Sequence, residues 1–312
     1  MTARGVTATH DVIIIGGGPG GMTAAIYAAR ARLETLLIEK LFPGGQLMIS
    51  DHIENYPGYA SGVSGPELSA QMREQAEKFG METLLAQVES VDFSGTERVI
   101  VTSEGESRTR TVIIATGASA RKLNVPGEQA LQGRGVSYCA TCDGAFFKDK
   151  DLAVVGGGDT AVEDSIFLTR YARKVSIVHR RDAFRAARII QERALNNPKI
   201  EVVWNTVVEK IEGNHAVQNL RIRNVVSDEI SDLPVDGVFV LIGAEPNLAF
   251  LGGQVAVDES GYIIADENMR TSVPGVFVAG DIRQKSLRQI VTACADGAIA
   301  AMSAEKYIEA MK

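Results

Sequence analysis

The sequence has little cysteine, no surplus of positive charge and no long apolar run. Three cysteines in 312 residues are too few for a disulfide scaffold. The net charge of −7 argues against a nucleic-acid partner, because such a partner requires a basic face on the protein. No apolar run reaches the ~18 residues that suggest a membrane span, and the N-terminal segment is too short and too polar for a signal peptide. We therefore expect a cytoplasmic protein without a nucleic-acid or membrane partner.

Two of the three cysteines stand close together, as Cys139-Ala140-Thr141-Cys142, and Cys294 stands alone. In a reducing compartment a close pair more often performs redox chemistry or binds a metal than cross-links a fold. A zinc site is the main alternative, although zinc prefers four ligands and the sequence has no second cysteine pair. We expect no metal, and we expect Cys294 to be a buried structural thiol.

The chain contains two copies of one segment, residues 11–40 and residues 151–180, at an offset of 140 residues. Each copy is typical of a strand, a glycine-rich turn, a helix and a second strand. The glycines permit a tight turn and a close approach of backbone to a pyrophosphate, and the helix N-terminus attracts phosphate. Two copies so far apart predict two separate nucleotide-binding domains rather than a repeat array. The motifs are Gly16-x-Gly18-x-x-Gly21 and Gly156-x-Gly158-x-x-Ala161.

The two copies differ at the end of their second strand, where dinucleotides are distinguished. In the first copy this strand ends in Glu39, whose carboxylate accepts hydrogen bonds from a ribose diol and repels a 2′-phosphate. In the second copy it ends in His179, and three arginines follow, Arg180, Arg181 and Arg185. A guanidinium group can donate two parallel hydrogen bonds to phosphate oxygens, so the second site is predicted to bind NADPH. The first site, with its carboxylate, is predicted to bind FAD or NAD. A solvated run of charge is the alternative interpretation of the arginines.

Two further strand-like runs end in a glycine turn, at residues 112–117 and 276–281. The second of these runs and the first glycine motif lie at opposite ends of the chain, with the second glycine motif between them. If both ends serve one nucleotide, the first domain is discontinuous and the second is inserted into it. The two crossings would then lie near residues 118–124 and 244–250, where prolines mark breaks.

With these residues in place, the chain closely resembles the low-molecular-weight thioredoxin reductases over nearly its whole length. The most specific shared motif is the hexapeptide CATCDG, which begins at Cys139 and precedes the second glycine motif. The other shared motifs are GGGPGG from Gly16, GGQL from Gly44, ENYPG from Glu54, GGGDTA from Gly156, HRRDAFR from His179, IGAEPN from Ile242, VAGD from Val278 and the pair Arg288-Gln289.

The resemblance implies an α/β fold of two Rossmann-like domains, each with three layers (ββα). It implies an FAD-binding domain formed by residues 1–119 and 247–312, and an inserted NADPH-binding domain of residues 120–246 that carries the redox pair. It also implies a homodimer whose protein substrate is thioredoxin.

The resemblance also assigns roles to residues at matching positions. Cys142 would face the flavin, Cys139 would attack the disulfide of thioredoxin, and Asp143 would be the general acid/base. A helix-capping aspartate is the alternative for Asp143. The adenine half of FAD would be held by Gly16, Gly18, Gly21 and Glu39, and the residues near the ribitol or flavin ring would be Gln46, Asn55, Asp281 and Gln289. NADPH would be held by Gly156, Gly158, Arg180, Arg181 and Arg185.

Two alternatives to this function remain open from the sequence. The first is a related flavoprotein disulfide reductase with another electron donor or another thioredoxin-like acceptor. Arg180 and Arg181 argue against a donor such as ferredoxin. The second is a nucleotide-sensing module, and the cysteine pair beside Asp143 argues against it, because a sensor needs no dithiol relay.

Overall fold

A computed structural model describes residues 10–50 and 52–311 of the chain. Residues 1–9, on which the expectation about a signal peptide rests, lie outside the described residues. In the described part no helix is long and apolar enough to span a membrane. The strands, in chain order, are β1 His10–Ile15, β2 Thr35–Glu39, β3 Glu82–Leu85, β4 Val88–Asp92, β5 Arg98–Thr102, β6 Gly105–Ile114, β7 Ala118–Ala120, β8 Val136–Ser137, β9 Asp151–Gly156, β10 Lys174–Val178, β11 Ile200–Val203, β12 Thr206–Glu212, β13 Asn219–Asn224, β14 Ile230–Pro234, β15 Gly237–Leu241, β16 Ala244–Pro246 and β17 Val276–Val278.

The helices lie between groups of these strands and after the last of them. The α-helices are α1 Pro19–Arg30, α2 Gly65–Lys78, α3 Ala140–Asp143, α4 Asp159–Leu168, α5 Arg188–Leu195 and α6 Ile290–Glu309. Short 3₁₀ helices span Gly45–Ile49, Gly144–Phe147, Ala249–Leu251 and Gly280–Ile282.

The chain divides into two compact units. The first combines Met1–Ser119 with Glu245–Lys312, and the second is Ala120–Ala244. The second unit is therefore an insertion in the sequence of the first. The chain enters and leaves the second unit through β7 and β16, which pair with each other as a two-stranded ribbon.

The first unit is built on a sheet with β1 near its centre. The strand order is β3-β2-β1-β6-β5-β4, and β17 also pairs with β6. β1 runs parallel to β2 and β6. A parallel strand with both faces covered needs consecutive apolar residues, which explains the run from Val12 to Ile15. Val12 and Ile14 pack in one cluster with α1 and α6, whereas Ile13 and Ile15 pack on the opposite face of the sheet.

The second unit has three layers. Its central sheet is parallel, in the order β11-β10-β9-β15-β8. An antiparallel sheet, β12-β13-β14, packs on one face through a cluster that includes Val155 and Val240. Helix α4 packs on the other face through a cluster that includes Val154 and Phe239. In both units the strand that precedes the glycine turn is parallel to its two neighbours, and its carboxyl end is where nucleotides bind in such folds.

Candidate functional site

Cys139 and Cys142 form a disulfide, with an S–S distance of 2.11 Å and a Cα–Cα distance of 5.3 Å. Cys139 follows β8 and is the N-cap residue of the single-turn helix α3. Cys139 is partly buried and Cys142 is exposed. Within residues 10–50 and 52–311, no group of three or more His, Cys, Asp and Glu side chains is placed to hold a metal ion. The two sulfurs are bonded to each other, which is the oxidised state of a pair that undergoes thiol–disulfide exchange.

The carboxylate of Asp143 lies one helical turn after Cys139. Its backbone N–H donates to the Cys139 carbonyl at 3.2 Å. The Ser137 hydroxyl donates to Asp143 Oδ2 at 2.6 Å and accepts the Cys139 N–H at 3.1 Å. Asp143 precedes the 3₁₀ helix Gly144–Phe147, but among the described residues its side chain makes no capping hydrogen bond there. The hydrogen bond from Ser137 holds the carboxylate beside the redox pair.

A buried carboxylate supports the same turn from the other side. Glu128 is only 2% exposed. It accepts hydrogen bonds from the Tyr138 hydroxyl at 2.9 Å and from the backbone N–H groups of Leu123 and Asn124 at 2.9 and 2.7 Å. Burial, followed by the hydrogen bond to Glu128, raises the pKa of Tyr138, so the phenol keeps its proton. Glu128 thus links the residue before Cys139 to the start of the second unit. No sequence motif predicts this link.

The glycine turn of the second unit is tied to the arginine loop that follows β10. The Arg185 N–H donates to the Gly157 carbonyl at 2.8 Å, and the Ala187 N–H donates to Asp159 Oδ1 at 2.7 Å. Gly156 and Gly158 lie in this turn. The predicted phosphate-binding residues Arg180, Arg181 and Arg185 are exposed, and no ion pair joins them to a carboxylate of the described residues. The structure therefore brings the predicted NADPH-binding residues together, with their guanidinium groups directed to solvent.

The side chain of His179 packs against this arginine loop. Its Nε2 donates to the Ala183 carbonyl at 3.1 Å, and its ring lies 5.6 Å from the ring of Phe184. Burial lowers the pKa of His179, and the nearby Arg181 and Arg185 lower it further. The sequence predicts only that His179 ends a strand and belongs to a shared motif, and its contact with this loop is visible only in the structure.

The glycine turn of the first unit is equally tight. Gly16 has a φ of +105°, and a Cβ there would lie 2.5 Å from the Ala115 carbonyl oxygen. A Cβ on Gly21 would collide with the Gly16 carbonyl, whereas Gly18 has open space around it. Glu39 Oε2 accepts the Gly17 N–H at 2.7 Å, which fixes the carboxylate at the turn. The predicted adenine-side residues are therefore brought together.

Four predicted flavin-side residues also lie in the first unit. Asn55 Nδ2 donates to Gln289 Oε1 at 2.9 Å across 234 positions of sequence, and Gln46 Nε2 donates to the Ala118 carbonyl at 3.4 Å. Burial raises the pKa of Asp281. Its Oδ1 atom is buried and has no hydrogen-bond partner among the described residues. A buried acceptor of this kind needs a donor, which a bound ligand can supply.

The segment that carries Asp281 is anchored by a buried ion pair. Lys285 Nζ lies 2.6 Å from Asp296 Oδ2, and both side chains are 10% exposed or less. The same carboxylate oxygen accepts the Gly280 N–H at 3.1 Å. No sequence motif predicts this pair, although an aspartate among the small residues of α6 is a visible signal.

Cys294 differs from its prediction. It is partly rather than fully buried, with Sγ 3.8 Å from the Tyr56 hydroxyl and 3.9 Å from the Pro19 carbonyl. Burial and the neighbouring thiol raise the pKa of Tyr56 to about 12. Cys294 lies in the N-terminal part of α6.

The chain is similar to known proteins over nearly its whole length. Residues 10–297 match the pyridine nucleotide-disulphide oxidoreductase family. The thioredoxin reductase of Peptoclostridium acidaminophilum is 50% identical over 307 residues, which cover 96% of this chain and 98% of that protein. The bifunctional thioredoxin reductase/thioredoxin of Mycobacterium leprae (strain TN) is 49% identical over 301 residues, which cover 96% of this chain and 66% of that protein. The crystal structure of thioredoxin reductase from Streptococcus pyogenes MGAS5005 has 49% sequence identity and a TM-score of 0.93, covering 97% of this chain and 99% of that one.

Two Rossmann-like domains and a CxxC disulfide define the class of pyridine nucleotide-disulphide oxidoreductases. Within this class, the chain belongs to the low-molecular-weight, bacterial-type thioredoxin reductase family. The predicted α/β fold class, with one Rossmann-like domain inserted into the other, is confirmed.

Proposed function

We propose that this protein is a thioredoxin-disulfide reductase that passes electrons from NADPH, through FAD and the Cys139–Cys142 disulfide, to oxidised thioredoxin. The observation that carries the proposal is that one unit combines three features. It has the disulfide, a glycine turn after β9, and three exposed arginines in the loop that follows β10. The other unit has a second glycine turn, beside Glu39, for FAD. The chain therefore contains a site for the electron donor, a site for the flavin and a disulfide that can receive the electrons. The names of its relatives support the choice of acceptor.

The residues of the first unit fit FAD. Gly16, Gly18 and Gly21 would hold the pyrophosphate at the N-terminus of α1, and Glu39 would accept hydrogen bonds from the adenosine ribose. Asp281 Oδ1 is a buried acceptor without a donor among the described residues, and a ribitol hydroxyl would supply one. Gln46, Asn55 and Gln289 would lie beside the ribitol or the flavin ring. When bound, FAD supplies the two-electron step between a hydride donor and a disulfide.

The residues of the second unit fit NADPH. Gly156 and Gly158 would admit the pyrophosphate at the N-terminus of α4, and the three guanidinium groups would bind the 2′-phosphate. Because these arginines have no carboxylate partner among the described residues, no existing ion pair has to break when the phosphate binds. NADH lacks this phosphate, so the arginines favour NADPH.

The roles of the two cysteines are those that the family resemblance implies. We assign Cys142 as the sulfur that faces the flavin and Cys139 as the thiolate that attacks the disulfide of thioredoxin through a mixed disulfide. A neighbouring carboxylate does not stabilise a thiolate by charge, so Asp143 acts as the proton donor to the leaving sulfur. The proposal also includes a homodimer, and a cytoplasmic location that suits a dithiol enzyme dependent on NADPH.

A steady-state assay tests the function. The purified protein, loaded with FAD, is mixed with NADPH or NADH and with oxidised thioredoxin, and the disappearance of the thioredoxin disulfide is followed. We expect turnover with NADPH. Cys142→Ser should lose thioredoxin reduction while NADPH still reduces the flavin. Turnover with reduced ferredoxin, and none with NADPH, would overturn the assignment of the donor.

The arginines provide a specificity test. Replacing Arg180 and Arg181 by glutamine removes charged hydrogen bonds worth about 1.5–3 kcal/mol each, so KM for NADPH should rise by at least about tenfold. KM for NADH should change little, because NADH has no 2′-phosphate. Arg193→Gln, at an exposed arginine of α5, is the matched control. Equal losses with both nucleotides would show that the loop does not bind the phosphate.

A further inference from the structure

A buried serine beneath the redox turn has no role in the function proposed above. Ser137 ends β8 and is 5% exposed. Its hydroxyl lies within reach of three groups: Asp143 Oδ2 at 2.6 Å, the Cys139 N–H at 3.1 Å and the Cys139 carbonyl at 3.3 Å. A buried hydroxyl with contacts on both sides of a reactive disulfide can influence its chemistry.

The hydroxyl has one proton to donate, so the two acceptors compete for it. The carboxylate oxygen is both closer and charged, and hydrogen bonds to charged groups are shorter and stronger than those between neutral groups. Ser137 therefore donates to Asp143 and accepts from the Cys139 N–H. In this arrangement one hydroxyl connects the backbone of the reactive cysteine to the carboxylate of the proton donor.

The backbone of α3 does not fix the Asp143 side chain by itself. The helix has a single turn and continues directly into the 3₁₀ helix Gly144–Phe147. Its backbone is held where Gly144 packs against α4, since a Cβ on Gly144 would lie 2.9 Å from Leu168 Cδ2. The packing of Gly144 fixes only the backbone of this segment. The hydrogen bond from Ser137 fixes the carboxylate of Asp143.

We propose that Ser137 is a positioning residue for the dithiol step, which orients the Asp143 carboxylate and makes it a better proton donor. This deepens the proposed function and rests on it. Reduction of the Cys139–Cys142 disulfide adds two electrons, breaks the S–S bond and takes up two protons to give two thiols. Asp143 takes up a proton from solvent, passes it to the leaving sulfur and returns to the carboxylate, and solvent gives the second proton. The hydrogen bond from Ser137 stabilises the carboxylate that this proton transfer leaves behind.

The test compares two variants of equal shape. Ser137→Thr keeps the hydroxyl, whereas Ser137→Val removes it, and both residues suit a strand. Ser137→Ala is a third, smaller variant. Ser165→Ala is the matched control, because Ser165 is also buried in the second unit but donates to the Ala161 carbonyl of a helix. Each FAD-loaded variant is mixed anaerobically with NADPH, flavin absorbance is followed, and acid-quenched samples are alkylated to count new thiols.

We expect NADPH to reduce the flavin at the wild-type rate in every variant. Thiols should form about ten- to hundredfold more slowly in Ser137→Val and Ser137→Ala. This loss of rate does not exceed the loss expected when the general acid itself is removed. Ser137→Thr and Ser165→Ala should behave as the wild type. If Val and Thr variants give the same rate, the proposal is wrong.

A double substitution separates this role from support of the backbone. Ser137→Val also removes the acceptor of the Cys139 N–H. This hydrogen bond does not involve residue 143, so its removal should have the same effect whether residue 143 is aspartate or asparagine. If Ser137 acts through the carboxylate, adding Ser137→Val to Asp143→Asn should cause no further loss in rate. An equal loss in both backgrounds would overturn the proposal.

A last measurement keeps this proposal separate from the enzyme's function. Dithiothreitol can reduce the Cys139–Cys142 disulfide directly, and its leaving sulfur needs the same proton. The Val variant should react more slowly than the Thr variant in this assay too. An enzyme that fails to reduce thioredoxin but shows this difference would contradict only the proposed function, and equal rates would contradict only the role of Ser137.

Discussion

His179 lies beneath the glycine turn of the second unit, where its protonation would be costly. A Cβ on Gly157 would overlap the imidazole, so the ring packs directly against the turn. Phe184 and Trp204 enclose it from the other side, with ring distances of 5.6 and 6.1 Å. Burial lowers the pKa of His179 below its ordinary value of 6.5, and the charge of Arg181 adds to the effect. At pH 7 the imidazole of the folded state is therefore neutral, although hydrogen bonds to the Ala183 and Gly156 backbone partly oppose the shift.

As a result, the free energy of unfolding of the second unit should decrease when the pH is lowered. The unfolded chain takes up a proton on His179 below pH 6.5, and the folded chain takes it up only at lower pH, so folding loses stability as pH falls below 6.5. The loss cannot exceed about 1.4 kcal/mol per pH unit from a single group. Trp204, the one tryptophan of the sequence, reports unfolding in urea from pH 5 to pH 8.

His179→Gln is the comparison for this measurement, because glutamine cannot take up the proton. Its free energy of unfolding should depend less on pH than that of the wild type in the same range. Parallel curves for the two proteins would show that His179 does not titrate differently in the folded and unfolded states.

Residues were predictable from the sequence where their chemistry belongs to a local motif. Glu39 and Arg180 could be placed because each stands at a fixed distance from a glycine turn. Contacts between distant segments gave no such signal. The bond between Asn55 and Gln289 spans 234 positions, and the carboxylate of Glu128 is surrounded only after folding.

At the scale of elements, α1 and α6 pack through small residues. A Cβ on Gly297 would collide with the Gly20 carbonyl and lie 3.0 Å from the Ala24 nitrogen. The helices can therefore approach only because Gly297 has no side chain. This contact also sets the position of the glycine turn, because Gly20 belongs to the first turn of α1.

Gly297→Ala should force the two helices apart. Overpacking of this kind costs about 1–3 kcal/mol, and the displaced turn should bind FAD more weakly. The measurements are the free energy of unfolding and the fraction of flavin that remains after gel filtration. Ala298→Ser, which adds one atom at a partly exposed position of the same helix, should change neither. Wild-type stability and flavin content in Gly297→Ala would contradict the packing argument.

The elements that the sequence predicted are those with a complete local pattern. In β1–α1–β2 and β9–α4–β10, an apolar strand, a glycine turn and a helix of small residues occur together. The antiparallel strands β12–β14 have no such signature, because their exposed faces are polar and their partners come from neighbouring turns. Their packing over the parallel sheet became visible only in the structure.

For the whole molecule, one apolar surface of the first unit bears on the proposed homodimer. The outer face of α6 carries Val291, Ala295, Ile299 and Met302, spaced so that they form one stripe along the helix. Val291, Ile299 and Met302 are 39–42% exposed. A contiguous apolar stripe on a surface helix is typical of an interface. We propose that this stripe contributes to the homodimer.

Ile299→Glu should disrupt that dimer, because association would bury an unpaired carboxylate. We expect the wild type to have the mass of two chains by light scattering and the variant to shift toward one chain at micromolar concentration. Gln75→Glu, at an exposed position of α2, adds the same charge away from the stripe and should leave the dimer intact. Far-UV circular dichroism of the variant excludes unfolding as the cause. A monomeric wild type would refute the homodimer, whereas a dimeric Ile299→Glu variant would place its interface on another surface of the first or second unit.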